Sequence, residues 1–307
     1  MKIAILGAGA MGSLFGAHLA AAGHDVLLVE VDPAVLRAVE QEGVRIGDRA
    51  VRVAITGDPA GHGLQDAVLC LVKTYDTASA ARLAQPLVGP STTVATLQNG
   101  IGGADVLAEA FGAGRVVAGV TYQGATVLAP GRIRHHMHGE TWIGDDLEAA
   151  GPLADALTAA GQVTHAIAPV APKIWKKLTN NCMGNSTAAL TGMNAGQMAV
   201  DEGILALQRA IAQEAVAVAA ALGHELDLED CIETNTSILR SSGDGRPSML
   251  QDVEAGRRTE IDTLNGAIVR HADALGIDVP VNRAMVALVS GWERARGLRG
   301  GLASSAP

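Results

Sequence analysis

The first half of the chain alternates short apolar runs with stretches of helical period. Lys2–Leu6, Val26–Val29, Ala67–Val72 and Thr93–Thr96 are nearly continuous in Val, Ile, Leu and Ala, without the strict alternation of a half-exposed strand. Strands buried on both faces lose that alternation, so the pattern predicts a parallel sheet covered by helices, an α/β domain. Between Val116 and Gly144 the pattern changes to glycine-punctuated β-like segments with a turn at Pro130-Gly131, which predicts antiparallel additions to the sheet. From Pro169 onward, Ala/Leu-rich stretches at 173–190, 203–222, 250–275 and 282–296 carry the helical period and predict a mostly α-helical C-terminal domain. The two prolines between Ala166 and Pro172 put the domain boundary after residue 168, and the Gly/Ser/Ala-rich stretch 297–307 is expected to be a flexible tail.

Length and composition narrow the classes of function. At 307 residues the chain exceeds what one hydrophobic core usually serves. With 48% hydrophobic and 18% charged residues it has ample material for buried cores, which excludes disorder as the default. The 32 acidic against 23 basic residues, net −9, repel phosphate backbones and anionic lipid, and no basic patch offsets them. A small-molecule partner is therefore expected, with no nucleic acid and no membrane. Cys70, Cys182 and Cys231 lie far apart without ligand spacing, so neither a disulfide framework nor a zinc site is expected and the chain reads as cytoplasmic. The apolar stretch 3–22 is interrupted by glycines and lacks a processing site, and 203–222 carries Gln208, Arg209, Gln213 and Glu214, too polar for a bilayer span. His135, His136 and His138 lie in a predicted strand with no carboxylate or cysteine at ligand spacing, so no metal site is assigned.

Candidate chemistry begins at the N-terminus. The strand Lys2–Leu6 runs straight into Gly7-Ala8-Gly9-Ala10-Met11-Gly12, and a helix follows. In a dinucleotide-binding fold the first glycine permits the tight turn, the second lets backbone amides approach a pyrophosphate, and the third lets helix and strand pack closely. The second strand ends at Glu30, with Asp32 just beyond, where a carboxylate can accept hydrogen bonds from ribose hydroxyls and would repel a 2′-phosphate. NADH is thus expected over NADPH. Lys73, after the third strand, and Asn99, after the fourth, stand at strand C-terminal ends, where ligands bind in open α/β sheets. Residues 1–168 therefore read as a Rossmann-type dinucleotide-binding domain and 169–296 as the helical substrate domain.

In the helical half, Lys177, Asn181 and Asn185 are spaced by four and share one helix face. An ammonium partly withdrawn from water has a lowered pKa and can donate a proton to a developing alkoxide, while amides orient it and the substrate. Asparagines are poor choices for an exposed helical face, which favours a functional stripe over a solvated one. A second segment starts at Ser248, placed to cap a helix, and puts Ser248, Asp252 and Glu260 on one face at multiples of four, with Gly256 between them.

These residues resemble the ketopantoate reductase (2-dehydropantoate 2-reductase) family over nearly the whole chain. The likeness rests on the glycine loop, Val72-Lys73-Thr74, Gln98-Asn99-Gly100, Gly119–Tyr122, Trp175–Asn185 and Ser248–Gly266. It implies hydride reduction of the 2-keto group of ketopantoate to pantoate by NADH or NADPH, for pantothenate and coenzyme A synthesis, in a homodimer. By the same resemblance Lys177 is the general acid, Asn181 and Asn185 are its companions, and Ser248 contacts the substrate carboxylate. Glu260 contacts the substrate hydroxyl, and Lys73 and Asn99 contact cofactor and substrate. Two departures bear on specificity. NADPH-preferring members carry an arginine where this chain has Val31, and some members carry an asparagine where it has Gly245. The alternatives kept open are an NADH-dependent reductase or dehydrogenase of another branched 2-keto or 2-hydroxy acid on the same fold, and a non-catalytic dinucleotide sensor.

Overall fold

Residue by residue, the central strand β1 (Lys2–Leu6) shows why the first half folds as it does. Ile3 and Ile5 point into one core and Ala4 and Leu6 into another, all at most 1% exposed. A strand buried on both sides needs helices on both sides. The computed structural model describes Met1–Arg299 and supplies them: α1 (Ala10–Ala21), β2 (Asp25–Val29), α2 (Pro33–Glu42), β3 (Val44–Ile46), β4 (Arg49–Val51), β5 (Ala54–Thr56), β6 (Ala67–Cys70), α3 (Thr77–Ala84), β7 (Thr93–Thr96), α4 (Gly103–Phe111), β8 (Val116–Thr121), β9 (Gly124–Ala129), β10 (Arg132–Met137), β11 (Thr141–Gly144), α5 (Leu147–Ala159) and β12 (Thr164–Ala166). Phe15 and Leu19 of α1 and Leu153 and Leu157 of α5 fill one core, while Ala81 and Ala84 of α3 and Leu107 of α4 fill the other.

The eight-stranded sheet runs β12-β11-β8-β7-β6-β1-β2-β5. Strands β5, β2, β1, β6, β7 and β8 are parallel, β11 is antiparallel to β8, and β12 runs parallel to β11. Strand order turns back between β1 and β6, which makes that gap the topological switch point where open sheets bind ligands. The expectation of antiparallel additions after Val116 needs correcting in two respects. Strand β8 pairs parallel to β7, and β9 and β10 leave the main sheet for a second, four-stranded one, β4-β3-β10-β9. Ile133 of β10 is buried, while Val127 and Leu128 near the end of β9 are half exposed.

Beyond Val170 every element among the described residues is helical: α6 (Ala171–Thr191), α7 (Ala195–Met198), α8 (Glu202–Ala221), α9 (Leu228–Ser242), α10 (Ser248–Glu254), α11 (Asn265–Leu275) and α12 (Pro280–Ala295). Contacts divide the chain into two units, 1–98 with 102–170, and 99–101 with 171 onward, so that Asn99–Ile101 groups with the helices. The helical core gathers Leu178 and Met183 of α6, Ile211 and Ala215 of α8, Cys231 of α9, Met249 of α10, Ile268 of α11 and Val289 of α12. Among the described residues α8 is the helix long and apolar enough to cross a membrane, and its Ile211, Ala212, Ala215, Val218 and Ala219 are buried in this core.

The single helix expected over 250–275 is in fact two. Helix α10 stops where Gly256 adopts φ +63°, with Gly256 N–H donating to Val253 O and Arg257 N–H to Asp252 O, the paired bonds of a Schellman stop. Glu260 therefore lies in the turn before α11, off the face of Ser248 and Asp252. The expected tail falls partly within the described residues, where Arg299 is tied to Glu293 and Asp262. From residue 300 on it lies outside them.

Candidate active site

In the α/β unit, Gly7 takes φ +91° and its N–H donates to Val29 O at 2.8 Å. A Cβ there would lie 2.9 Å from Val72 Cγ1, and one at Gly12 only 1.8 Å from the Gly7 carbonyl oxygen. The chain's own packing thus dictates two of the three glycines. Gly9 is different, since a Cβ there would meet nothing within 4 Å. Its smallness answers to no protein neighbour and leaves room beside the N-terminus of α1. That end begins at Ala10 and Met11, with no acid in its first turn and, among the described residues, no side chain capping it. Unpaired helical N–H groups without a cap form a site for an anion, and the loop sits beside the switch point, so the residues present fit a pyrophosphate.

Glu30 holds this loop. Its Oε2 accepts from Ala8 N–H at 2.8 Å, and its Oε1 accepts from the N–H groups of Val31 and Asp32 at 2.7 and 3.0 Å. The carboxylate is therefore fixed between the glycine loop and the end of β2. Asp32 does something else, capping α2 by accepting from Ala34 N–H at 2.7 Å. Lys73 lies just past β6 and opens a short 3-10 turn, Thr74–Asp76, its carbonyl accepting from Asp76 N–H. Gln98, just past β7, donates to Val72 O and Thr77 Oγ1, both at 2.8 Å, tying the ends of β6 and β7 together.

In the helical unit, α6 carries Lys177, Asn181 and Asn185 in one stripe, and its two amides hydrogen-bond different stretches of chain. Glu260 acts on the Lys177 ammonium, Asn181 Nδ2 donates to Asn99 Oδ1 at 3.4 Å, and Ser248 Oγ donates to Asn185 Oδ1 at 3.3 Å. The Met249 N–H also points at Asn185 Oδ1, at 3.5 Å. Ser248 is thus the first residue of α10 and makes no capping bond, contrary to the expectation; Pro247 occupies the cap position, and the serine hydroxyl turns to α6 instead. Asp252 binds the Arg257 guanidinium at 2.9 Å. Asn99 reaches Asn181 because the Thr263 carbonyl accepts from Ile101 N–H at 3.1 Å and presses on Gly100, where a Cβ would lie 2.1 Å away. Only glycine, at φ +86°, fits there.

Burial pushes the Lys177 ammonium down to about 8, with the Glu260 carboxylate pulling the other way. Desolvation wins because an ammonium loses its hydration on the flank of a packed helix, and one carboxylate restores only part of it. The thiol of Cys182, next to Asn181, is fully buried and pushed up, which leaves it an inert core group.

Comparisons with known proteins bear on this arrangement directly. The family model described as ketopantoate reductase PanE/ApbA matches residues 3–147, and its C-terminal counterpart matches 170–293. The chain belongs to the ketopantoate reductase family. This makes it an oxidoreductase with an α/β N-terminal domain and a helical C-terminal one. A 2-dehydropantoate 2-reductase of Pyrococcus abyssi is 35% identical over 306 residues, 97% of this chain and 99% of the relative. Among solved structures, a PanE/ApbA family ketopantoate reductase of Ralstonia eutropha JMP134 superposes with TM-score 0.88 at 38% identity, covering 97% of this chain and all of that one. D-mandelate dehydrogenase in ternary complex with NADH and anilino(oxo)acetate superposes with TM-score 0.92 at 28% identity, over the same shares.

Proposed function

We propose that this family member reduces ketopantoate to pantoate with a nicotinamide dinucleotide as hydride donor. The observation that carries the reading is the stripe of Lys177, Asn181 and Asn185 on α6, in which the two amides hydrogen-bond Asn99 and Ser248 from separate stretches of chain and the ammonium beside them is shifted by burial and by the Glu260 charge. A reduced nicotinamide, when bound, supplies the hydride to the keto carbon. Gly7, Ala8, Gly9, Ala10, Met11 and Gly12 would hold its pyrophosphate, Glu30 would accept from the adenosine ribose, and Lys73 and Asn99 would contact cofactor and substrate. Lys177 gives its proton to the keto oxygen as the C–H bond forms, so that negative charge never accumulates on oxygen. Asn181 and Asn99 orient the keto group, Ser248 with Asn185 holds the substrate carboxylate, and Glu260 accepts from the substrate hydroxyl.

NADH is the preferred donor on this reading. The Glu30 carboxylate is pinned by three backbone N–H groups where a 2′-phosphate would have to sit, and it cannot swing aside without releasing Ala8. Steady-state kinetics with each dinucleotide checks this, and an NADPH advantage in kcat/KM overturns it. A second reading, another branched or aryl 2-keto acid on the same fold, draws support from the likeness to D-mandelate dehydrogenase and from Gly245, whose lack of a side chain leaves that substrate contact unmade. A panel of 2-keto acids ranked by kcat/KM decides between them, with ketopantoate first on the leading reading and phenylglyoxylate first on the other.

The pH dependence follows from Lys177. As the proton donor it must be charged, and the ammonium fraction falls as pH rises through about 8. The expected kcat/KM for reduction is flat below that pH and drops about tenfold per pH unit above it. A profile flat to pH 10 returns Lys177 to the ordinary lysine range and overturns the lowered value, whereas the same fall persisting in Lys177→Ala removes Lys177 from this role.

A further inference from the structure

Glu293 is a fully buried carboxylate on α12 that the chemistry above leaves without a task. Its Oε1 accepts twice from Thr259, from the backbone N–H at 2.6 Å and from the hydroxyl at 2.7 Å. Its Oε2 accepts from Arg299 Nε at 2.8 Å. The other arm of the same guanidinium reaches Asp262 Oδ2 at 2.5 Å, and Arg258 approaches that oxygen at 3.4 Å. These contacts grip Thr259 immediately before Glu260 and Asp262 shortly after it. The gripped stretch lies between the helix stop at Gly256 and the start of α11 at Asn265; Thr263 and Leu264 N–H groups donate to Glu260 O after it, while on its N-terminal side the backbone is held at Thr259 by Glu293.

Burying a carboxylate is costly unless it is fully hydrogen-bonded, and the packing of α12 on the helical core is supplied by Met285 and Val289. A carboxylate at 293 therefore needs a reason other than packing, and its partners are the residues that flank Glu260. We propose that Glu293 is a positioning residue of the reductase site, fixing through Thr259 the backbone from which Glu260 faces Lys177. The proposal rests on the reading of Lys177 and Glu260 as reaction residues. It accounts for the threonine too, since the hydroxyl supplies a second donor to the same oxygen and locks the residue before Glu260 in one rotamer. The arginine bridge to Asp262 completes the clamp from the other side.

The test uses the full chain with Thr259→Val, Glu293→Gln and Thr259→Ser. Two things are measured: kcat and KM for both substrates, and the titration of the Lys177 ammonium in the unliganded protein by NMR of isotope-labelled lysine. Valine and glutamine are expected to lower kcat by about tenfold or more while leaving KM for the dinucleotide within about twofold. The Lys177 midpoint should move below about 8, because the attraction of a displaced Glu260 is lost while burial by α6 persists. Thr259→Ser, which keeps the hydroxyl, should restore both. A role confined to stability would lower Tm and leave the Lys177 midpoint and kcat at their original values, and that result overturns the proposal. So does an upward shift of the midpoint. If the unmodified chain reduces no 2-keto acid with either dinucleotide, the substrate reading fails separately, and the titration still decides whether Glu293 positions Glu260.

Discussion

Replacing Lys177 with alanine is expected to lower kcat for 2-keto acid reduction by about 10²- to 10⁴-fold, the range a single positioned proton donor supplies. Dinucleotide affinity, read by NADH fluorescence titration, should stay within about twofold, because the glycine loop belongs to the other unit of the chain. Lys177→Arg should rescue nothing. A guanidinium keeps the charge but does not give up its proton at accessible pH, so the pair of variants separates proton donation from electrostatics. If Lys177 and Glu260 work as a unit, Lys177→Ala combined with Glu260→Ala should fall little further than the worse single variant. Retention of most turnover in Lys177→Ala would end the assignment.

The second large effect is expected at Gly12→Ala, a change of one methyl group. That methyl would sit 1.8 Å from the Gly7 carbonyl oxygen, so either α1 or the loop must move. Relief of such a clash costs about 1–3 kcal/mol in packed proteins. If the displacement falls on the loop, the cost appears as roughly 10- to 100-fold weaker dinucleotide binding. Lys177 chemistry should be untouched, so kcat at saturating dinucleotide recovers while KM for it does not. Gly9→Ala is the informative contrast. Its Cβ meets no protein atom, so the protein should lose no stability, and weakened dinucleotide binding there would show that the glycine is kept small for the ligand.

Much of this was legible in the sequence because the decisive signals are local. Continuous apolar runs gave β1, β2, β6 and β7 to within two residues, and the spacing of Lys177, Asn181 and Asn185 put all three on α6. What remained hidden depended on partners distant in sequence. Nothing in a linear reading shows that Ser248 donates to Asn185 instead of capping its helix, because a serine after proline suits both. Helix α9 went unread because its stretch is rich in Thr, Ser and Asn, and its buried Cys231, Asn235 and Leu239 form a narrow stripe with one polar member. The break after α10 did have a signal, Gly256 followed by two arginines, but helical period on either side masked it. Glu293 stands near a helix end, where a charge is usually solvated, and only the fold reveals that it is buried.

The excursion of Asn99–Ile101 into the helical unit bears on how this molecule can be taken apart. A protease nick or a gene split after Val170 would give an N-terminal fragment carrying Asn99 away from Asn181, and a C-terminal fragment missing three residues of its own fold. Neither piece would be self-sufficient, and mixing the two fragments would have to restore both the missing peptide and the amide pair before any turnover returned.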